Sequence, residues 1–273
     1  LSFEEMEVEA MEIDSGNTMK ESLLQPNKAK KIRSHACSYW FCNYKSYEEF
    51  VTSKQFDEIT RLADESKAIL DKEAAETQES LLVLYKNAFP NTPLPELIGE
   101  EWKDLGFQSE NPLTDLRSSG KLSLSNVVYF SSHYPTLFSK MVQSSTEYPF
   151  IASAINITTL LLIHLRISQQ YTFCPCCGMD FKKEKKIPVK EMATFANLLE
   201  EQSWETVFNE LFSLGVMMMD ANYRRNVKKD PKFTILEFKK VFAQTKTQLM
   251  RVLRKGPKTI EEVFTVATPY IEF

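Results

Sequence analysis

The sequence predicts an all-α protein, a single multi-helix globule behind a charged, flexible N-terminal segment. From Ser46 onward, apolar residues recur near a period of about 3.6 residues. Alternating strand patterns with paired turn signals are missing, and prolines punctuate the spaces between helical blocks. With 273 residues, 43% of them hydrophobic, the chain can bury a sizeable core.

Residues 1–44 pass from the acidic "FEEMEVEAMEID" to the basic "KAKKIRSH", a pattern of solvated, flexible chain. The helical domain is expected over 45–273. "SYEEFVTSKQFDEITRLADESKAILDKE" opens with a capping-box spacing, Ser46 to Glu49, and places Phe50, Phe56, Ile59, Leu62 and Ile69 on one face. "SLLVLYKNAF" extends the pattern to Pro90, Pro93 and Pro95, which end one helix and begin another. A further helix begins near Leu122. "FIASAINITTLLLIHLRI", from Phe150, is interrupted by Asn156, His164 and Arg166 and falls short of the about 20 clean apolar residues of a membrane span. It reads as a buried core helix, with His164 a satisfied core residue. "VKEMATFANLLEEQ", "SWETVFNELFSLGVMMMDANYRR" and "TILEFKKVFAQTKTQLMRVL" complete the helices. Met217, Met218 and Met219 are consecutive and cannot share a face, so their helix is expected to be buried all round.

Composition removes several functions. A formal net charge of -4 provides no global field for nucleic acid. The seven glycines, Gly16, Gly99, Gly106, Gly120, Gly178, Gly215 and Gly256, are scattered, so no phosphate-cradling loop exists and the chain is not expected to bind a nucleotide on its own. Five cysteines, with no leader-like pattern ahead of them, predict a reducing, cytoplasmic setting.

His35, His133 and His164 form no metal-binding pair, and nothing resembles a nucleophile elbow, although a spatial Ser-His-Asp set stays open. His133 reads as a helix-end residue. "CPCCG" groups Cys174, Cys176 and Cys177 in a Cys/Lys-rich loop near 172–187, while "HACSYWFC" offers His35, Cys37 and Cys42. These are zinc candidates by ligand type, but the C-x-C-C spacing is not that of a zinc knuckle, and free thiols are the alternative. Basic clusters at 182–186, 224–229 and 251–258 read as solvated helix ends, with a lipid or acidic-partner surface as the second reading.

"WKDLGFQSENPLTDLRSSGKLSL", residues 102–124, is different. Asn111-Pro112 starts a turn, Thr114 and Asp115 can cap the next one, and Ser118-Ser119-Gly120 breaks the chain before a helix. Asp115 and Arg117 are two apart, so in a helix they would not pair. Arg117 then either pins the loop to a carboxylate of another helix or points toward a partner.

This stretch resembles the signature of the ELMO-domain family: a tryptophan, Gly-Phe-Gln, then Asp/Asn-Pro-x-Thr-Asp-Phe/Leu-Arg, a glycine and a leucine-rich helix. The matching residues are Trp102, Gly106, Phe107, Gln108, Asn111, Pro112, Thr114, Asp115, Leu116, Arg117, Gly120, Leu122 and Leu124. "YPFIASAINITTLL" and "FANLLEEQSWETVFNELF" resemble later family segments, and the likeness covers roughly residues 50 to 255. It departs at Ser118, where the family usually has glycine; if a positive φ were needed there, serine would cost on the order of 1 kcal/mol.

The resemblance implies an ELMO-type helical domain with no cofactor of its own. In the ELMO-domain-containing branch it implies a GTPase-activating protein for small Arf and Arf-like GTPases, with Arg117 as the arginine finger and GTP and Mg belonging to the partner. Gln108 would position polar contacts; Trp102, Phe107 and Leu116 would anchor the loop, with Asn111 and Asp115 fixing its turns. The engulfment-and-motility branch implies the alternative, a non-catalytic helical adaptor for a small GTPase or a DOCK-type or cytoskeletal regulator. Either implies a cytoplasmic protein, with room for peripheral contact with membranes, cilium or cytoskeleton and with no transmembrane segment.

Overall fold

The computed structural model describes residues 47–116, 119–145, 147–168 and 188–272. The charged segment 1–44 with His35, Cys37 and Cys42, and the Cys/Lys-rich loop with Cys174, Cys176 and Cys177, lie outside the described residues. Among the described residues there is no strand, and ten α-helices follow one another: α1 Ser53–Glu65, α2 Ala75–Ala88, α3 Glu101–Leu105, α4 Gly120–His133, α5 Pro135–Gln143, α6 Phe150–His164, α7 Val189–Leu198, α8 Trp204–Lys229, α9 Phe238–Arg254 and α10 Ile260–Ile271. Short 3-10 turns occupy Tyr47–Glu49, Pro112–Thr114 and Ile235–Glu237.

The first helix starts later than the Ser46–Glu49 spacing predicts. Thr52 is the N-cap, and its side chain and that of Gln55 bond reciprocally to each other's backbone N–H, a complete capping box one turn downstream. The chain before it folds into a 3-10 turn whose Tyr47 hydroxyl donates to the Leu165 carbonyl at 2.7 Å. α1 stops at Glu65, so Ile69 does not join the apolar face formed by Ile59 and Leu62; it is 92% exposed.

α8 sits at the centre. It packs on α1, α4, α6, α9 and α10, while α2 packs on α3, α4 and α5. Burial runs all round it, including Met217, Met218 and Met219, as their consecutive placement requires. Its N-terminus is capped from another helix: the Trp204 N–H donates to Glu58 Oε2 of α1 at 2.8 Å. α6 is buried along nearly its whole length, with His164 inside, and no described helix is long and apolar enough to cross a membrane.

Polar side chains inside the bundle form pairs that set its register. Asn126 of α4 donates to Asn209 of α8 at 2.7 Å and accepts from Thr158 of α6 at 2.9 Å. Asp220 accepts from the Tyr148 hydroxyl and from Arg224 Nε, each at 2.8 Å, and Arg224 reaches on to Ser144. Glu210 accepts from both Tyr129 and Tyr134 at 2.5 Å. Arg225 closes the last turn of α10 by donating to the carbonyls of Pro269, Tyr270 and Glu272, groups a helix end leaves unsatisfied.

Gly215 lets α8 and α6 pack closely, since a Cβ there would stand 2.6 Å from Ile157 Cγ2. Gly215→Ala should therefore lose about 1–3 kcal/mol in urea unfolding despite alanine's better helix propensity. Adding Ile157→Leu, which removes that β-branch methyl, should restore part of the loss. Burial, then the Asp220 carboxylate, hold the Tyr148 hydroxyl well above the ordinary tyrosine value of 10.0, and burial does the same to Tyr47. A raised folded-state value leaves stability intact below 10.0 and withdraws it as pH rises beyond. Thermal melts followed across that range should therefore hold steady at first and then fall.

Candidate functional site

The described stretch from Trp102 to Leu116, the end of α3 and the loop after it, is locked at three points. α3 ends in a Schellman arrangement: Gly106 is left-handed at φ 99, its N–H donates to the Lys103 carbonyl at 2.9 Å, and the Phe107 N–H donates to the Trp102 carbonyl at 3.2 Å. The apolar contact expected across that motif is present, Trp102 and Phe107 meeting edge to face at 5.9 Å. Trp102 is fully buried, donates its Nε1–H to the Glu96 carbonyl at 3.0 Å and meets Tyr85 edge-on at 5.6 Å.

The second lock joins this loop to α6. The Gly106 carbonyl accepts from the Ala152 N–H at 3.2 Å, and a Cβ on Gly106 would lie 2.7 Å from the Phe150 nitrogen. The left-handed backbone and the absent side chain are both required. "GFQ" and "YPFIA", far apart in sequence, are thus one structural unit.

The third lock is polar. Asn111 Oδ1 accepts from the Leu113 N–H at 3.1 Å and caps the 3-10 turn that Pro112 opens. The Asn111 carbonyl accepts from the Thr114 N–H and from the hydroxyls of Thr114 and Ser109. Asp115 Oδ2 turns back to accept the Gln108 N–H at 2.7 Å, tying the loop's end to its beginning. Trp102, Phe107 and Leu116 are buried as expected, while Gln108 is exposed. The rim is acidic: Glu100, Glu101, Asp104 and Glu110 are exposed around Lys103, whose ammonium is pushed up by its hydrogen bond to Glu100.

Arg117 and Ser118 lie outside the described residues. The described residues on either side, Leu116 and Ser119, are both buried. Ser119, two residues after the arginine, has a positive φ of 48. The Ser119 hydroxyl is buried and makes no hydrogen bond among the described residues. α4 therefore begins without a side-chain cap. Sequence reasoning missed Leu70, which abuts this junction: a Cβ on Gly120 would be 3.2 Å from Leu70 Cβ, and Lys121 pairs with Glu65 at 3.4 Å. No local signal marks such a contact, because it joins segments fifty residues apart.

No described group of three or more His, Cys, Asp or Glu could hold a metal ion, and Cys174, Cys176 and Cys177 are not among the described residues. The family model for the ELMO/CED-12 family matches residues 60–242, from inside α1 to inside α9. The chain belongs to the ELMO/CED-12 family. ELMO domain-containing protein C of Dictyostelium discoideum is 24% identical over 213 residues, 78% of this chain and 32% of that protein. ELMO domain-containing protein 2 of Bos taurus is 29% identical over 148 residues, 52% of this chain and 47% of the relative. Engulfment and cell motility protein 3 of Mus musculus is 28% identical over 169 residues, 59% of this chain and 20% of the relative. The chain spans from about a fifth to about half the length of the curated relatives it matches. No solved structure matches it.

In this member of the ELMO/CED-12 family, the locks predict opposite effects at two neighbouring sites. Gly106→Ala should lose more than about 1 kcal/mol, since it forces an L-residue into φ 99 and a Cβ into the Phe150 backbone. Ser119→Gly should gain on the order of 1 kcal/mol by relieving the left-handed serine and deleting its unpaired hydroxyl. Denaturant midpoints of the two variants check both signs.

Proposed function

We propose that this chain is a GTPase-activating protein for small Arf and Arf-like GTPases, with Arg117 supplied in trans to the partner's GTP. The observation that carries the reading is the Ser119 junction. A left-handed serine with a buried, unpaired hydroxyl is a costly conformation, and such strain persists where surrounding structure over-determines it, most often at functional loops. Here it stands directly after the Arg117-Ser118 pair in a loop fixed on its other side by Leu116, Asp115 and Asn111.

The chemistry supports an arginine in that place. Phosphoryl transfer from GTP spreads negative charge over the transferring oxygens, and a planar guanidinium that is always charged stabilises it, typically by about 10³–10⁵ in rate. Lysine lacks the two-pronged donor geometry. The partner GTPase would supply the phosphate-binding loop, the Mg and the attacking water, in keeping with the scattered glycines of this chain.

The adaptor reading is favoured by one observation: the chain aligns with an engulfment and cell motility protein over a share of its length similar to that aligned with an ELMO domain-containing protein. In that reading the same surface binds a small GTPase or a DOCK-type regulator with no effect on hydrolysis.

Single-turnover GTP hydrolysis by a panel of Arf and Arf-like GTPases, with the wild type or Arg117→Lys added, separates the two. Stimulation by the wild type should be nearly abolished in Arg117→Lys, with binding and melting temperature unchanged. Binding of a GTP-loaded partner without stimulation by the wild type would establish the adaptor reading instead.

A further inference from the structure

The connection between α8 and α9 carries a surface that core packing does not explain. The two helices run antiparallel: Asn222 bonds to Thr245 and Gln248, and Asn226, one turn further along α8, bonds to Gln244. Their connection forms the tip of a helical hairpin, and it has fixed geometry. Asp230 Oδ1 accepts from the Lys232 N–H at 3.0 Å, the Phe233 N–H donates to the Asp230 carbonyl at 2.9 Å, and the Glu237 N–H closes the 3-10 turn on the Thr234 carbonyl at 3.0 Å.

Two phenylalanines hold the tip down. Phe233 and Phe238 are buried against Tyr223, with ring centroids at 6.0 and 5.7 Å. Between them Ile235 is 42% and Leu236 91% exposed. The anchors fix the direction in which this aliphatic pair faces, so its exposure is built into the turn. Around it Lys228, Lys229, Lys232, Lys239 and Lys240 are exposed, and Lys240 Nζ lies 5.9 Å from the Phe233 ring centroid. Over residues 228–240, five lysines stand against two carboxylates, Asp230 and Glu237, on a chain whose total charge is -4.

We propose that this tip docks on a bilayer rich in anionic lipid, with Ile235 and Leu236 entering the headgroup–acyl boundary while the ring of lysines holds the headgroups. Charge complementarity selects the occupant: the tip is basic on an otherwise acidic chain, and lysine stems let their ammonium groups reach headgroups while apolar side chains descend between them. Two adjacent aliphatic side chains are too little apolar area for the core of a stable protein–protein interface. A fluid bilayer needs no shape complementarity, and the combination of an apolar wedge with a basic ring is the paired signal that peripheral attachment requires. Single-stranded nucleic acid would call for aromatic rings to stack on, and both phenylalanines of the tip face inward. The inference is independent of the GTPase reading, since Arg117 plays no part in it.

Sedimentation of the full chain with phosphatidylcholine vesicles, with or without about 30% phosphatidylserine at low salt, tests the proposal. The wild type should sediment with the anionic vesicles only. The paired variants Ile235→Ser/Leu236→Ser and Lys232→Glu/Lys239→Glu alter exposed positions and should melt like the wild type, yet each should weaken binding by about tenfold or more. A Leu236→Trp variant should shift its emission to the blue on anionic vesicles. Absence of sedimentation, equal binding to neutral vesicles, or no emission shift would overturn the proposal. So would full binding by Ile235→Ser/Leu236→Ser; if the lysine variant alone lost binding, the surface would be a polyanion site such as one for an acidic protein.

Discussion

The structure depends on one constraint, a long helix whose middle turns, from Val207 to Tyr223, are buried nearly all round. That stretch of α8 has no face to give to water, so five other helices cover it, and the bundle is arranged around that need. Apolar burial alone does not fix how each neighbour is rotated or slid along α8. The buried side-chain pairs do. On α8, Asn209 bonds to α4, Asp220 to Tyr148 ahead of α6, and Asn222 and Asn226 to α9, and any slip of one turn would strand a polar group away from water.

The signature loop is tied to this frame through backbone contacts more than side-chain ones. Gly106 presents its carbonyl to the start of α6, and α6 in turn lies on α8. The loop therefore takes its position from the core, with Trp102 of α3 set against Tyr85 of α2 as the apolar anchor. Asn111 and Asp115 act within the loop: one caps the 3-10 turn, and the other ties the loop's end back to its beginning.

The sequence carried the helical class, the buried run at Phe150 and the all-round burial of Met217–Met219, features that periodicity and composition encode directly. Grouping the loop residues into one motif came from the family resemblance, since no periodicity marks them. It misplaced the first helix because Ser46-x-x-Glu49 and Thr52-x-x-Gln55 are equally good local capping patterns; tertiary anchoring of Tyr47 to Leu165 decides between them. It put Ile69 inside because helical spacing continues past Glu65, whereas the chain there turns so that Leu70 can meet Gly120. The bond from Asp115 back to the Gln108 N–H, seven residues away, is a contact that no fixed local spacing announces. The cap of α8 by Glu58, from a helix nearly 150 residues earlier, was equally beyond any local pattern.

The Gly106 junction has a mechanical consequence. Because the loop and the start of α6 share a backbone hydrogen bond with no side chain between them, the two cannot move separately by more than the play in one bond. The entropy of ordering Gly106 and its neighbours is thus lost once, in the same cooperative step that seats α6 on the core, and the junction melts only when that helix does.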